Sequence, residues 1–178
     1  LSGVDLSGVD LSGVDLSGVD LSGANLMGAD MTNVVLTGAI LTNANLENAT
    51  LENGNLIDLH ADGANLTNAN LRYTLLAGVL TNAELTGVDL TGANLVGSDL
   101  SHSDLTGVDL SKTIISHVDL SNSVLIGADL SGVDLTGTIL RGADLSRSIL
   151  TGVELSLDCK NNKNCQRVDL TGANLVGV

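Results

Sequence analysis

The chain has no phenylalanine, no tryptophan and no proline, and Tyr73 is its only aromatic residue. A rounded core in a chain of 178 residues normally leans on a few large rings. Here Leu, with Val, Ala and Ile, has to do the filling, which points to a thin, repetitive interior. Cations are scarce too: 7 Lys and Arg stand against 21 Asp and Glu, for a net charge of −14. Binding nucleic acid requires cations to neutralise phosphates, and binding an anionic membrane surface requires them as well. Neither partner is expected. No apolar run approaches the ~18 residues that would suggest a membrane span. The chain opens inside a repeat at Leu1 with no initiator Met. Its natural N-terminus is therefore expected upstream, and the lack of a signal peptide says nothing about export.

Motifs that carry chemistry are also missing. No Gly-Lys-Ser/Thr follows the glycines, as a phosphate loop would need. Nor is there the nine-residue, Gly-Gly period of calcium-binding rolls. His102 and His117 fall at turn positions and read as surface residues, and His60 stands apart from both. Serines and threonines recur at equivalent places, so none is singled out as a nucleophile. No catalytic residue, cofactor site or metal site is expected.

What the chain has is a five-residue beat. Leu recurs at 1, 6, 11, 16, 21 and 26, and Met31 takes the next place. The beat continues to Leu76, with Ala61 substituting once, loses one residue before Leu80, and resumes to Leu155 with Ile115 in one place. It returns at Leu170 and Leu175. Two residues before each central Leu the chain is small or β-branched, as at Val4, Ala24, Ser103 and Val133. The residue immediately before it is mostly Asp or Asn. The first residue after it is mostly Ser or Thr, and the second is Gly or Asn; every glycine except Gly54 sits in that last place.

Neither regular element fits this period. On an α-helix successive Leu side chains would step by about 140° and wander round the surface. On a straight strand an odd period would send alternate Leu residues to opposite faces. The conflict disappears if the chain turns a corner in every repeat. In a short extended stretch the Leu and the small residue two before it point the same way, and the intervening Asp or Asn points oppositely. Gly or Asn then supplies the positive φ of a tight turn.

Units such as Ala128 to Gly132 (Ala-Asp-Leu-Ser-Gly) and Ala64 to Asn68 (Ala-Asn-Leu-Thr-Asn) resemble the A(D/N)LXX motif of the pentapeptide repeat proteins, along nearly the whole chain. The resemblance implies an all-β fold: a right-handed quadrilateral β-helix with four pentapeptides per coil, Leu inside and Asp or Asn outside. The 34 central positions would then make about eight to nine coils, a rod of roughly 40 Å at about 4.8 Å per coil. Residues 1–178 are expected to form one such domain. Its Leu-rich, Phe-free pattern is similar to cyanobacterial and plastid-lumen members.

Three irregularities stand out. Residues 1–20 repeat Leu-Ser-Gly-Val-Asp four times without variation, which points to recent duplication or deliberate lengthening, since natural repeats drift. The four-residue unit from Leu76 to Val79 predicts an altered corner. From Leu155 to Asp169 the beat is kept, but Lys160 and Cys165 stand where Leu belongs, and Asp158 and Lys163 where small inward residues belong. Such charges cannot face an apolar interior unpaired, so 158–167 is expected to loop out, as a solvated segment or a recognition loop. Cys159 and Cys165, the only cysteines, could close a small disulfide. A zinc site would need two more ligands, and free thiols are the alternative. A disulfide would place the protein in a periplasm or thylakoid lumen; without it the cytoplasm is expected.

Function is legible mainly by exclusion. The reading from the residues is a non-catalytic structural or protein-interaction solenoid whose Asp and Asn are solvating, turn-stabilising residues. The resemblance implies an alternative, a DNA mimic that binds type II topoisomerase (gyrase) and confers fluoroquinolone resistance. The acidic residues that would form its ladder are Asp5, Asp10, Asp15, Asp20, Asp30, Asp89, Asp99, Asp109, Asp119 and Asp129. Net −14 over about 40 Å is about one charge per 3 Å, against one per ~1.7 Å of duplex. The position before Leu turns apolar at Val35, Ile40, Leu75, Ile114, Val124, Ile139 and Ile149. With four repeats per coil the members after residue 80 fall on different faces, so a single apolar docking surface is not expected. Exposed strand edges on the end coils favour self-association there, or an unknown protein partner.

Overall fold

The structure, a computed structural model, describes residues 1–155 and 170–178. Its backbone is held by parallel single-residue bridges between positions twenty apart: Asp5 pairs with Asn25, Asn25 with Asn45, and Asn45 with Asn65. Four such ladders run along the rod, and the residue before each central Leu belongs to one of them. Ladder 1 starts at Asp5, ladder 2 at Asp10, ladder 3 at Asp15 and ladder 4 at Asp20. Twenty residues shared among four ladders give four pentapeptides per turn, so the coils occupy residues 1–20, 21–40, 41–60, 61–79, 80–99, 100–119 and 120–139, with the eighth starting at 140.

The repeat can be understood by asking where its five N–H groups go. In the second repeat Leu6 N–H donates to the Asn25 carbonyl (2.7 Å) and Gly8 N–H to the Met27 carbonyl (2.9 Å), both one coil on. Val9 N–H closes the turn onto the Leu6 carbonyl at 3.2 Å. Asp30 N–H donates back to the Val9 carbonyl at 3.0 Å. The fifth donor, Ser7 N–H, is met by Oδ1 of Asp5 at 3.0 Å. That last bond is why Asp or Asn precedes Leu: its short side chain satisfies a turn N–H that no carbonyl reaches. The preference is a requirement of the corner before it is anything else.

Inside, the central Leu side chains stack coil on coil with Ala, Val, Ser and Thr between them, and Leu21 to Leu145 are buried. Leu1, Leu170 and Leu175, in the terminal coils, are exposed, and so is Leu155 at the edge of the described residues. Polar residues in the small inward position are satisfied. Ser103, Ser123 and Ser148 donate to the carbonyls of Leu100, Leu120 and Leu145. Among the described residues no buried side-chain N or O lacks a partner.

The corner after Leu76 is one residue short, and His60 accordingly bridges Val79 at nineteen residues rather than twenty. The expected altered corner is present, and its neighbours are fitted to it. Val79 N–H turns to the Leu59 carbonyl (2.7 Å), and the Leu76 carbonyl is met instead by the hydroxyl of Ser98 at 2.7 Å. Leu59 occupies the inward position that Ala or Val fills elsewhere, directly against Gly78, whose missing side chain leaves room for it. Beyond the seventh coil Asp144 bridges Asn174, thirty residues on. The expected loop at 158–167, with Cys159 and Cys165, lies outside the described residues.

Candidate interaction surfaces

The ladders sort the acidic residues by face. Asp10, Asp30, Asp89, Asp109 and Asp129 fall on ladder 2; Asp20, Asp99 and Asp119 on ladder 4; Asp5 on ladder 1; Asp15 on ladder 3. Asp10 with Asp30, Asp99 with Asp119, and Asp109 with Asp129 are directly bridged, and Asp89 stands one coil before Asp109 in the same column. The four Asp of the first coil, adjacent in sequence, point from four different sides and meet Asn25, Asp30, Val35 and Ile40.

Each of these carboxylates is engaged locally. Asp10 Oδ1 accepts from the Ser12 hydroxyl (2.6 Å) and the Ser12 N–H (2.9 Å), and Asp129 accepts likewise from Ser131. The hydroxyl first, then the N–H, holds both carboxyls below their ordinary value of 3.8. Asp5, Asp15, Asp20 and Asp144 are lowered in the same way. A carboxyl depressed in the fold favours folding above its unfolded pKa, and that contribution is lost as pH falls through the folded one. Thermal stability is therefore expected to stay level from neutral pH to about 4 and to fall below 3.8. Ser131→Ala should raise the Asp129 pKa, read by NMR titration; an unchanged value would refute the hydroxyl's role.

Ladder 3 differs from the others. Its positions run Asp15, Val35, Asn55, Leu75, Asn94, Ile114, followed by Asp134 and Glu154. The first turn residues beside it are Ser17, Thr37, Ile57, Ala77, Val96 and Ser116. Ile57, Leu75, Val96 and Ile114 are all exposed, Leu75 at 48% and Ile114 at 53%, and Val35 is half-buried. Each coil from the second to the sixth thus presents at least one apolar side chain on this one face. A shallow depression of about 110 Å³ lies between Ile57, Leu75, Ala77, Asn94 and Val96. This corrects the expectation that no apolar docking surface forms. Val124, Ile139 and Ile149 do go to ladders 1, 4 and 2, but Val35, Leu75 and Ile114 share ladder 3. Ile57 and Val96 escape a reading confined to the position before Leu; writing the first turn residues in columns of twenty would have found them.

The corner leading onto this face carries Arg72 and Tyr73. Tyr73 adopts φ 57°, a left-handed conformation uncommon for a bulky side chain. Its ring lies over Gly92, where an added Cβ would fall 2.4 Å from the ring. The Arg72 guanidinium sits 5.4 Å from the ring centroid and pairs with Asp89 at 3.3 Å.

A leucine-filled coil with four bridged ladders and one corner per pentapeptide defines a β-solenoid of short repeats. The chain belongs to the pentapeptide repeat family, whose model matches eight copies across residues 1–38, 29–72, 44–80, 62–107, 83–122 and 113–152. Members of the family fold as right-handed β-helices and are generally non-catalytic structural or interaction proteins. Two solved structures illustrate the likeness. HetL, a pentapeptide repeat protein involved in heterocyst differentiation regulation in the cyanobacterium Nostoc sp. strain PCC 7120, is 26% identical. Its alignment covers 98% of this chain and 84% of that one at a TM-score of 0.51. QnrB1, a plasmid-mediated fluoroquinolone resistance protein, is 20% identical over 98% of this chain and 88% of that one, at a TM-score of 0.61. No curated protein matches the chain by sequence.

Proposed function

We propose that the protein is a non-catalytic interaction rod that presents faces of different chemistry to other proteins. The observation that carries this is the gathering of exposed apolar side chains on one face: Ile57, Leu75, Val96 and Ile114 line ladder 3, while acidic residues are spread over all four ladders. The carboxylates are committed to corner hydrogen bonds, and the inward hydroxyls to carbonyls, so both already serve the fold. HetL's regulatory role fits a protein of this architecture that acts through contacts.

A second reading, a DNA mimic directed at type II topoisomerase, draws support from the net charge and from the Asp column of ladder 2. Against it, Thr50, Asn70 and Ile149 interrupt that column, and the charge per unit length is roughly half that of duplex DNA. A gyrase supercoiling assay at two salt concentrations separates the two. No effect at micromolar protein is expected. Inhibition that weakens with salt would replace the interaction-rod reading with the mimic.

A further inference from the structure

The apolar face of ladder 3 has an internal symmetry that identifies its occupant. Over coils three to six the large side chain alternates between the turn position and the ladder position: Ile57, then Leu75, then Val96, then Ile114. A two-fold axis lying in the face, perpendicular to the rod and passing between Leu75 and Asn94, sets coil four against coil five of a second copy and coil three against coil six. Leu75 then meets Asn94 of the partner subunit, and Val96 meets Ala77 of the partner subunit. Ile57 meets Ser116 of the partner subunit, and Ile114 meets Asn55 of the partner subunit. Every large side chain faces a smaller or polar one, so the zigzag interlocks with itself. At one rim the same operation sets Asp58 opposite His117 of the partner subunit. At the other rim Lys112 comes opposite Asn53 of the partner subunit, next to its Glu52.

We propose that ladder 3 is an antiparallel, face-to-face dimerisation surface for a second copy of this chain. A two-fold parallel to the rod would keep each coil against the same coil of the partner, so Asp58 of coil three could not meet His117 of the partner subunit in coil six, and that pair tells the two arrangements apart. The local hydrogen bonding points the same way. Leu75 and Ile114 occupy positions where Asp or Asn would cap a turn N–H, as Asn94 caps Val96 (3.0 Å) and Asp134 caps Thr136 (2.8 Å) on the same ladder. A corner that forgoes that cap in order to expose Leu gains nothing within the monomer. Two features keep the dimer weak. The four interlocking coils, at about 4.8 Å each, give a contact about 20 Å long, too short to reach the ~800 Å² per partner of a standard interface. The register also brings Asp15 towards Glu154 of the partner subunit, so association should strengthen with salt.

The test is sedimentation of the full chain up to millimolar concentration, at low salt and at about 0.5 M, where the Debye length shrinks to a few Å. The companion variant is Ile57→Thr with Leu75→Asn, Val96→Thr and Ile114→Asp, which restores the residue types that these positions hold in other coils. The wild type should dimerise, more so in salt. The variant should be at least tenfold weaker while melting at the same temperature or higher. A second pair reads the register: His117→Asp should weaken the dimer several-fold, and adding Asp58→His should restore it. A wild type that stays monomeric throughout, a dimer that survives the four-residue variant, or a swap without rescue would each overturn the proposal. It deepens the interaction reading, and a monomeric result would leave that reading standing, since the supercoiling assay judges it separately.

Discussion

Leu105→Ala is expected to lower the unfolding free energy by about 3–5 kcal/mol, as large-to-small changes in closed cores do. Leu105 is fully buried in the sixth coil, with Leu85 and Leu125 in the same column of the coils on either side, both buried. No neighbour can collapse into the hole without leaving the stack. Leu6→Ala, in a first coil packed on one side only and partly buried, should cost about 1 kcal/mol. Because each coil touches only its neighbours, the damage from Leu105→Ala should also be local. Hydrogen exchange is expected to accelerate in the coils around 105 before it does near residue 30. Urea unfolding that gives equal losses for the two variants would contradict a stack of independent layers.

Gly78→Ala is expected to cost about 3 kcal/mol, near the upper end for an overpacked site. An added Cβ would stand 2.5 Å from the Leu59 carbonyl oxygen and 3.0 Å from the Leu59 nitrogen and Cβ. These are mostly backbone atoms, and they are fixed by the Val79 N–H to Leu59 carbonyl bond (2.7 Å) and the Asp99 N–H to Gly78 carbonyl bond (2.9 Å). They cannot retreat without opening both bonds. Gly97→Ala is the control: nothing lies within 4 Å of its Cβ and only its φ of +79° opposes the change, so about 1 kcal/mol is expected. Chemical denaturation of the two variants compares them directly. If Gly78→Ala were the milder, the shortened corner would be looser than its geometry implies.

Much of this protein could be read before any coordinate was known. A period of five, sorted so that Leu, small residue, Asp or Asn, and Gly each keep one place, leaves a corner per repeat as the one way to bury the leucines together. The lost residue between Leu76 and Leu80 marked an irregular corner by arithmetic alone. The sequence also located the acidic residues, but not their company, because residues five apart lie on different sides of the rod.

Three things were decided only in three dimensions. The first is adjacency: bridges twenty residues back and nineteen residues on make Leu75 a neighbour of Asn55 and Asn94, and with Ile57 and Val96 this turns scattered apolar substitutions into one face. The second is the repair of the short corner, where Ser98, Leu59 and Gly78 come from three different repeats. The third is the state of the Asp carboxylates that precede the central Leu, each bonded to the Ser or Thr two residues on, so that much of the acidic exterior proves to be part of the turn chemistry. The division has a simple cause. Periodicity along the chain carries the direction in which each side chain points, whereas contacts between coils depend on how many residues close a turn, and a change of one residue in that number re-pairs everything beyond it.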